Sequence, residues 1–144
     1  MKALMENWRK YVTDEPSVVP TREGMIDFIT NNPNQKIHLD SPKGSVKGFG
    51  KTNKTPLPFD YGEYPDILNP ADNMGWDLII VPSATKDSEL LMPVGHVEYE
   101  KDRRDKLGND KIIIAPSRQY TEEDQAIIDN FFNSLEGFEP VRWY

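Results

Sequence analysis

The chain has no cysteine and only two histidines, His38 and His96, in 144 residues. Without cysteine there is no disulfide framework and no thiolate metal centre, which fits a cytoplasmic location. His38, on a short predicted strand, reads as a structural or exposed residue, and His96, with no second histidine at metal-ligand spacing, as structural. No apolar run approaches the roughly 18 residues of a membrane-spanning helix, and no membrane partner is expected. The opening MKALMENWRKY is broken by Glu6, Asn7, Arg9 and Lys10, unlike the apolar core of a secretory signal. Basic charge is in deficit as well: 17 Lys and Arg face 24 Asp and Glu, a net charge of −7. That balance opposes non-specific attraction to nucleic acid, so a polyanionic ligand needs local lysines or bridging cations. Internal repeats and low-complexity segments are absent too.

With 37% hydrophobic and 28% charged residues, the composition is that of one globular domain with a real core. Its most distinctive stretch is Ser41 to Asp77. The first half, Ser41 to Phe59, holds Lys43, Lys47, Lys51 and Lys54 and no acid. The second half, Asp60 to Asp77, holds Asp60, Glu63, Asp66, Asp72 and Asp77 and no Lys or Arg. Gly44, Gly48 and Gly50 loosen the basic half, and Pro56, Pro58, Pro65 and Pro70 punctuate the stretch from there onward. A glycine loop rich in lysine suits phosphate oxygens, and clustered carboxylates suit a hard cation such as Mg²⁺. Segregated charge is equally what a solvated loop carries.

Around this stretch the periodicity predicts helices at both ends and short strands between. Ala3, Leu4, Trp8, Tyr11 and Val12 recur at helical spacing over residues 2–12. Pro16 and Pro20 bound an extended link, and Thr21 then caps a helix to about Thr30 with Met25, Ile26, Phe28 and Ile29 inward. This apolar arm, residues 1–35, is expected to pack on the rest of the domain or on a second copy in a homo-oligomer. Strands are predicted at 36–40, 76–81, 90–99 (bent at Pro93–Gly95), 112–115 and 141–144. Thr121 with Asp124 forms a capping box ahead of a helix whose inner face is Ala126, Ile127, Ile128, Phe131, Phe132 and Leu135 and which stops at Gly137. The fold expected is α+β, a small barrel over residues 36–144 braced by the arm and the last helix.

Several segments in order resemble the soluble inorganic pyrophosphatases. DSPKGSVKG (Asp40 to Gly48) is similar to that family's acid–x–Pro–Lys–Gly–Ser–x–x–Lys motif, and PFDYGEYPDIL (Pro58 to Leu68) to its Pro–x–Asn–Tyr–Gly–Tyr–Ile–Pro segment. NPADNMGWDLIIV stands where the family has Asp–Gly–Asp–Pro–x–Asp–Val–Leu–Val. PVGHV, then Asp105, Gly108, Asp110, Lys111 and IIIAP, follow its Pro–Val–Gly strand, acidic loop and Lys-led strand. IIDNFFNSLEGFEPVRWY tracks its terminal helix and Trp ending, so the order is kept from Asp40 to Tyr144.

The resemblance implies an OB-like five-stranded β-barrel that hydrolyses diphosphate to two phosphates with Mg²⁺, or Mn²⁺ in its place. Metal ligands by this correspondence are Asp40, Asp72, Asp77, Asp105 and Asp110. Catalytic positions are Asp72, Asp77, Lys47, Lys111 and Tyr61, and further phosphate-facing cations are Lys43, Lys51, Lys54 and Arg142. Two departures favour an alternative, a non-catalytic or specificity-altered module that binds a phosphate ligand or serves in assembly. Met74 stands where the family has the acid that orients water, and Leu135–Glu136 stands where it has a Tyr–Lys pair. A single-strand nucleic-acid barrel would need more aromatics than the Phe49 and Phe59 that accompany the lysine run.

Overall fold

A computed structural model describes residues 16–46, 55–99 and 110–144. The helix expected at 2–12 lies outside the described residues, as do Lys47, Lys51, Lys54 and Asp105. In chain order the elements are β1 (Ser17–Val18), α1 (Arg22–Asn31), β2 (His38–Ser41), β3 (Asp60–Asn69), β4 (Met74–Ile80), β5 (Leu91–Val97), β6 (Lys111–Pro116), α2 (Glu122–Asn133) and β7 (Arg142–Trp143). Among the described residues no helix is long and apolar enough to cross a membrane.

The strands form one seven-stranded mixed sheet in the order β1-β3-β4-β6-β5-β7, with β2 also on β3. The sheet is open, which corrects the expected five-stranded barrel. Closure is replaced by a helix on each face. Ile79, Val81, Ile113 and Ala115 pack with Ile128, Phe131 and Phe132 of α2. Leu78, Ile80, Ile112 and Ile114 pack with Met25 and Ile29 of α1. Both faces of β4 and β6 are therefore covered, which explains their unbroken apolar runs and their parallel pairing, Leu78↔Ile112 through Ile80↔Ile114.

β3 is the element that the sequence concealed. Its ten residues include Gly62 and Pro65, which strand interiors disfavour, and the sequence predicts no strand there. One edge of β3 is shared by β2, antiparallel at Tyr61–Glu63, and by β1, parallel at Ile67–Leu68. Along β4 the register slips between Tyr64 and Leu68, so Pro65, Asp66 and Ile67 oppose no β4 residue and Pro65 needs no ladder donor there. Gly75 is required at that slip: a Cβ would run into the Tyr64 carbonyl oxygen.

The helix caps were legible. The Thr21 hydroxyl accepts from the Gly24 N–H at 3.0 Å. At α2 the capping box forms, with Asp124 N–H donating to Thr121 Oγ1 and Thr121 N–H to Asp124 Oδ2, both at 3.0 Å. α2 ends at Asn133 with Ser134 as cap, so Leu135 and Glu136 lie beyond it, and Gly137 (φ 88°) serves the following turn. Asp124 also accepts from the Ser83 N–H at 2.9 Å and hydroxyl at 2.6 Å, which ties the β4–β5 loop to the helix.

Burial alone would raise the pKa of Asp124, but the bonds from Ser83 and Thr121 prevail and hold it below the ordinary 3.8. A depressed carboxyl contributes stability that is present above the unfolded value and lost as pH falls through the folded one. Asp124→Ala should cost about 2 kcal/mol at pH 7. The gap between variant and parent should narrow below about pH 4, as denaturant unfolding at pH 7 and pH 3 would measure.

Candidate functional site

The register of three strands builds a charged cluster on the α2 side of the sheet. Glu63 of β3 faces Asp77 of β4, and the parallel β4–β6 pairing, continued one residue back, sets Asp77 beside Lys111. Lys111 is 3% exposed, and its Nζ lies 3.3 Å from Asp77 Oδ2. Tyr61, two residues before Glu63 and thus on the same face, is 4% exposed. The Lys111 ammonium sits 5.6 Å from the centre of its ring, a cation–π contact that adds to the ion pair.

Burial raises the Tyr61 pKa far above its usual range, helped by the adjoining Asp77 carboxylate and, more weakly, by Asp40 and Glu63. The phenol stays protonated and donates to Asp77. It is a fixed hydrogen-bond donor, unsuited to act as a base. Asp40 is the extra residue where the β2–β3 register shifts between Leu39 and Ser41, and it is exposed at the margin. Its Oδ2 accepts from the Ser41 hydroxyl at 3.3 Å. On the outer side His38 Nδ1 approaches Glu63 Oε1 at 3.7 Å. Gly62 lets β2 come this close, since a Cβ would collide with the His38 carbonyl.

Of the residues singled out in the sequence, Tyr61, Asp77 and Lys111 come together, with Asp40 on the neighbouring strand β2, near enough to act electrostatically on Tyr61. Others do not. Asp72 is exposed in the β3–β4 turn, where its Oδ1 accepts from the Met74 N–H at 3.0 Å. Met74 is three strand residues from Asp77, roughly 10 Å at the rise of an extended chain. Asp110 points to the opposite face, where Arg22 Nη1 reaches its Oδ2 at 2.8 Å. Lys43 is exposed and donates its backbone N–H to Asp60 at 2.7 Å. Arg142 lies exposed on β7, paired with His96 of β5, away from Lys111.

Among the described residues no three His, Asp or Glu side chains are arranged to hold a metal ion. Of the implied ligand set, Asp105 lies outside the described residues, and Asp40, Asp72, Asp77 and Asp110 do not gather into one cluster. Asp72 satisfies its own turn, and the sheet separates Asp110 from Asp77.

Two features were not read from sequence. Glu63 joins the cluster only through the alternation of β3, which the glycine and proline in that strand hide. On the α1 side Arg22 bridges Glu98 at 2.6 Å and Asp110 at 2.8 Å, two acids that the β5–β6 register sets opposite one another. Close by, His96 is buried, and its Nδ1 lies 2.7 Å from the Tyr144 hydroxyl. Its Nε2 has no hydrogen-bond partner.

Two predictions come from these placements. Asp77→Asn removes the carboxylate that lies 3.3 Å from the buried Lys111 ammonium. The variant should lose about 2–3 kcal/mol, less than a sealed pair because Asp77 is partly solvated. Adding Lys111→Met should restore most of that loss; additive losses in the double variant would show that the two side chains do not act as a pair. Burial, and then the Arg22 cation, lower the His96 pKa to about 4 from 6.5. The unfolded chain thus binds this proton first, and stability should fall as pH drops from about 6.5 towards 4. His96→Gln should flatten that interval in a series of denaturant unfolding curves.

Neither a protein-family model nor a curated protein matches this chain, so what the site does has to be read from its own residues.

Proposed function

We propose that the chain hydrolyses inorganic diphosphate, taken up as its Mg²⁺ complex, where Tyr61, Asp77 and Lys111 meet beside Asp40. The supporting observation is that Tyr61, Asp77 and Lys111, picked out by the ordered pyrophosphatase-like motifs, lie on three different strands and meet, with Asp40 on the adjoining strand β2. Lys111 offers a desolvated positive charge to phosphoryl oxygens, exchanging its contact with Asp77 for one with the substrate. Tyr61 donates its phenolic proton to a phosphoryl oxygen and cannot compete as a nucleophile. Asp77 and Asp40 face the cation that the substrate carries. That cation neutralises charge on the phosphates and acidifies water near them.

A second reading is a module that binds diphosphate without cleaving it. It is favoured by one observation: the Asp72–Met74 turn is exposed, with Met74 at 60%, and supplies no acid beside Asp77 to orient water.

Phosphate release from Mg²⁺-diphosphate between pH 6 and 9 separates the two. Hydrolysis should be abolished by chelator and reduced about 100-fold or more in Asp77→Asn and in Lys111→Gln. Saturable diphosphate binding with no turnover would establish the second reading. Neither binding nor turnover would overturn both.

A further inference from the structure

Away from the Asp77–Lys111 cluster, a cleft of about 440 Å³ opens between α1 and the start of β5. Its lining is Ile26, Pro93, Val94, Arg118, Tyr120 and Tyr144. That volume is within the range of small-molecule sites, and an apolar floor with few polar groups is their usual chemistry.

The walls are held from behind. Tyr120 lies against Trp143, ring centres 4.9 Å apart, and Trp143 Nε1 donates to Asp129 at 2.9 Å. Tyr144 is fixed at both ends, its hydroxyl at His96 Nδ1 and its backbone N–H on the Val94 carbonyl at 3.0 Å. Rigid aromatic walls take up a flat ring at little entropic cost.

Arg118 supplies the charge. Ser117 and Arg118 are consecutive non-glycine residues with positive φ, 49° and 60°. Each such conformation costs on the order of 1 kcal/mol and persists only where its surroundings impose it. Here Ser117 N–H donates to the Leu90 carbonyl and Gln119 N–H to that of Pro116, both at 2.8 Å. The Arg118 guanidinium bonds a neutral group, the Thr30 hydroxyl at 3.2 Å. A strained turn thus presents a cation at an aromatic cleft, with no carboxylate against it among the described residues.

We propose that this cleft binds a small planar aromatic carboxylate, its ring on the Ile26–Pro93–Val94 floor between the two tyrosines and its carboxylate on Arg118. A guanidinium matches that group with paired, charge-assisted hydrogen bonds. The proposal is independent of diphosphate hydrolysis, because none of the six lining residues belongs to the phosphate cluster.

Titrating the full chain with 2-naphthoate, followed by amide chemical shifts, tests it. Saturable, sub-millimolar binding is expected, with shifts centred on Val94, Arg118, Tyr120 and Tyr144. Arg118→Gln, an exposed change that spares the core, should weaken 2-naphthoate about 10-fold. The same variant should leave the neutral analogue 2-naphthalenemethanol within about 2-fold of the parent. No saturable binding, shifts confined to other parts of the molecule, or equal affinity in Arg118→Gln would overturn the assignment.

Discussion

A buried ammonium must have its charge answered within reach, and the Asp77–Lys111 pair is the constraint around which this sheet is arranged. Lys111 opens a strand in which every residue but the last is buried. The parallel register of Leu78–Ile80 against Ile112–Ile114 puts a carboxylate, Asp77, beside Lys111. A slip of one residue would turn Lys111 towards Met25 and Ile29 and send the isoleucines to the wrong helices. Apolar packing on both faces thus fixes the register, and the register fixes the ion pair.

The neighbouring residue solves the mirror-image problem. Asp110 and Lys111 are adjacent and point to opposite faces, one negative and one positive. Burial raises the pKa of Asp110, and the Arg22 guanidinium acts against that rise. Arg22, in the first turn of α1, holds both Asp110 and Glu98 and so joins the helix to facing strand ends. The sheet between them keeps a negative pair with its arginine on one side and the lysine with its carboxylates and Tyr61 on the other.

Much of this was legible where local rules govern. The Thr121–Asp124 box, the Thr21 cap, the apolar runs of β4 and β6 and the irregularity at Pro93–Gly95 all appear in the structure. What failed was non-local. Gly62 and Pro65 disguised β3, because a strand that pairs on one edge with two partners and bulges on the other tolerates residues that local propensity rejects. With β3 hidden, a small barrel was the natural expectation, and the open sheet replaces it. The resemblance groups Asp72, Asp77 and Asp110 as metal ligands. Only strand parity reveals that one faces α2, one faces α1 and one closes its own turn.

The central claim is that the Asp77–Lys111–Tyr61 cluster receives a diphosphate group. The most direct measurement is a crystal structure of the full chain soaked with Mg²⁺ and imidodiphosphate, which resists hydrolysis. The account predicts the analogue's phosphoryl oxygens within hydrogen-bonding distance of Lys111 Nζ and the Tyr61 hydroxyl, with Asp77 turned towards the cation. A fully occupied analogue elsewhere on the molecule, with the Asp77–Lys111 contact unchanged at 3.3 Å, would contradict it.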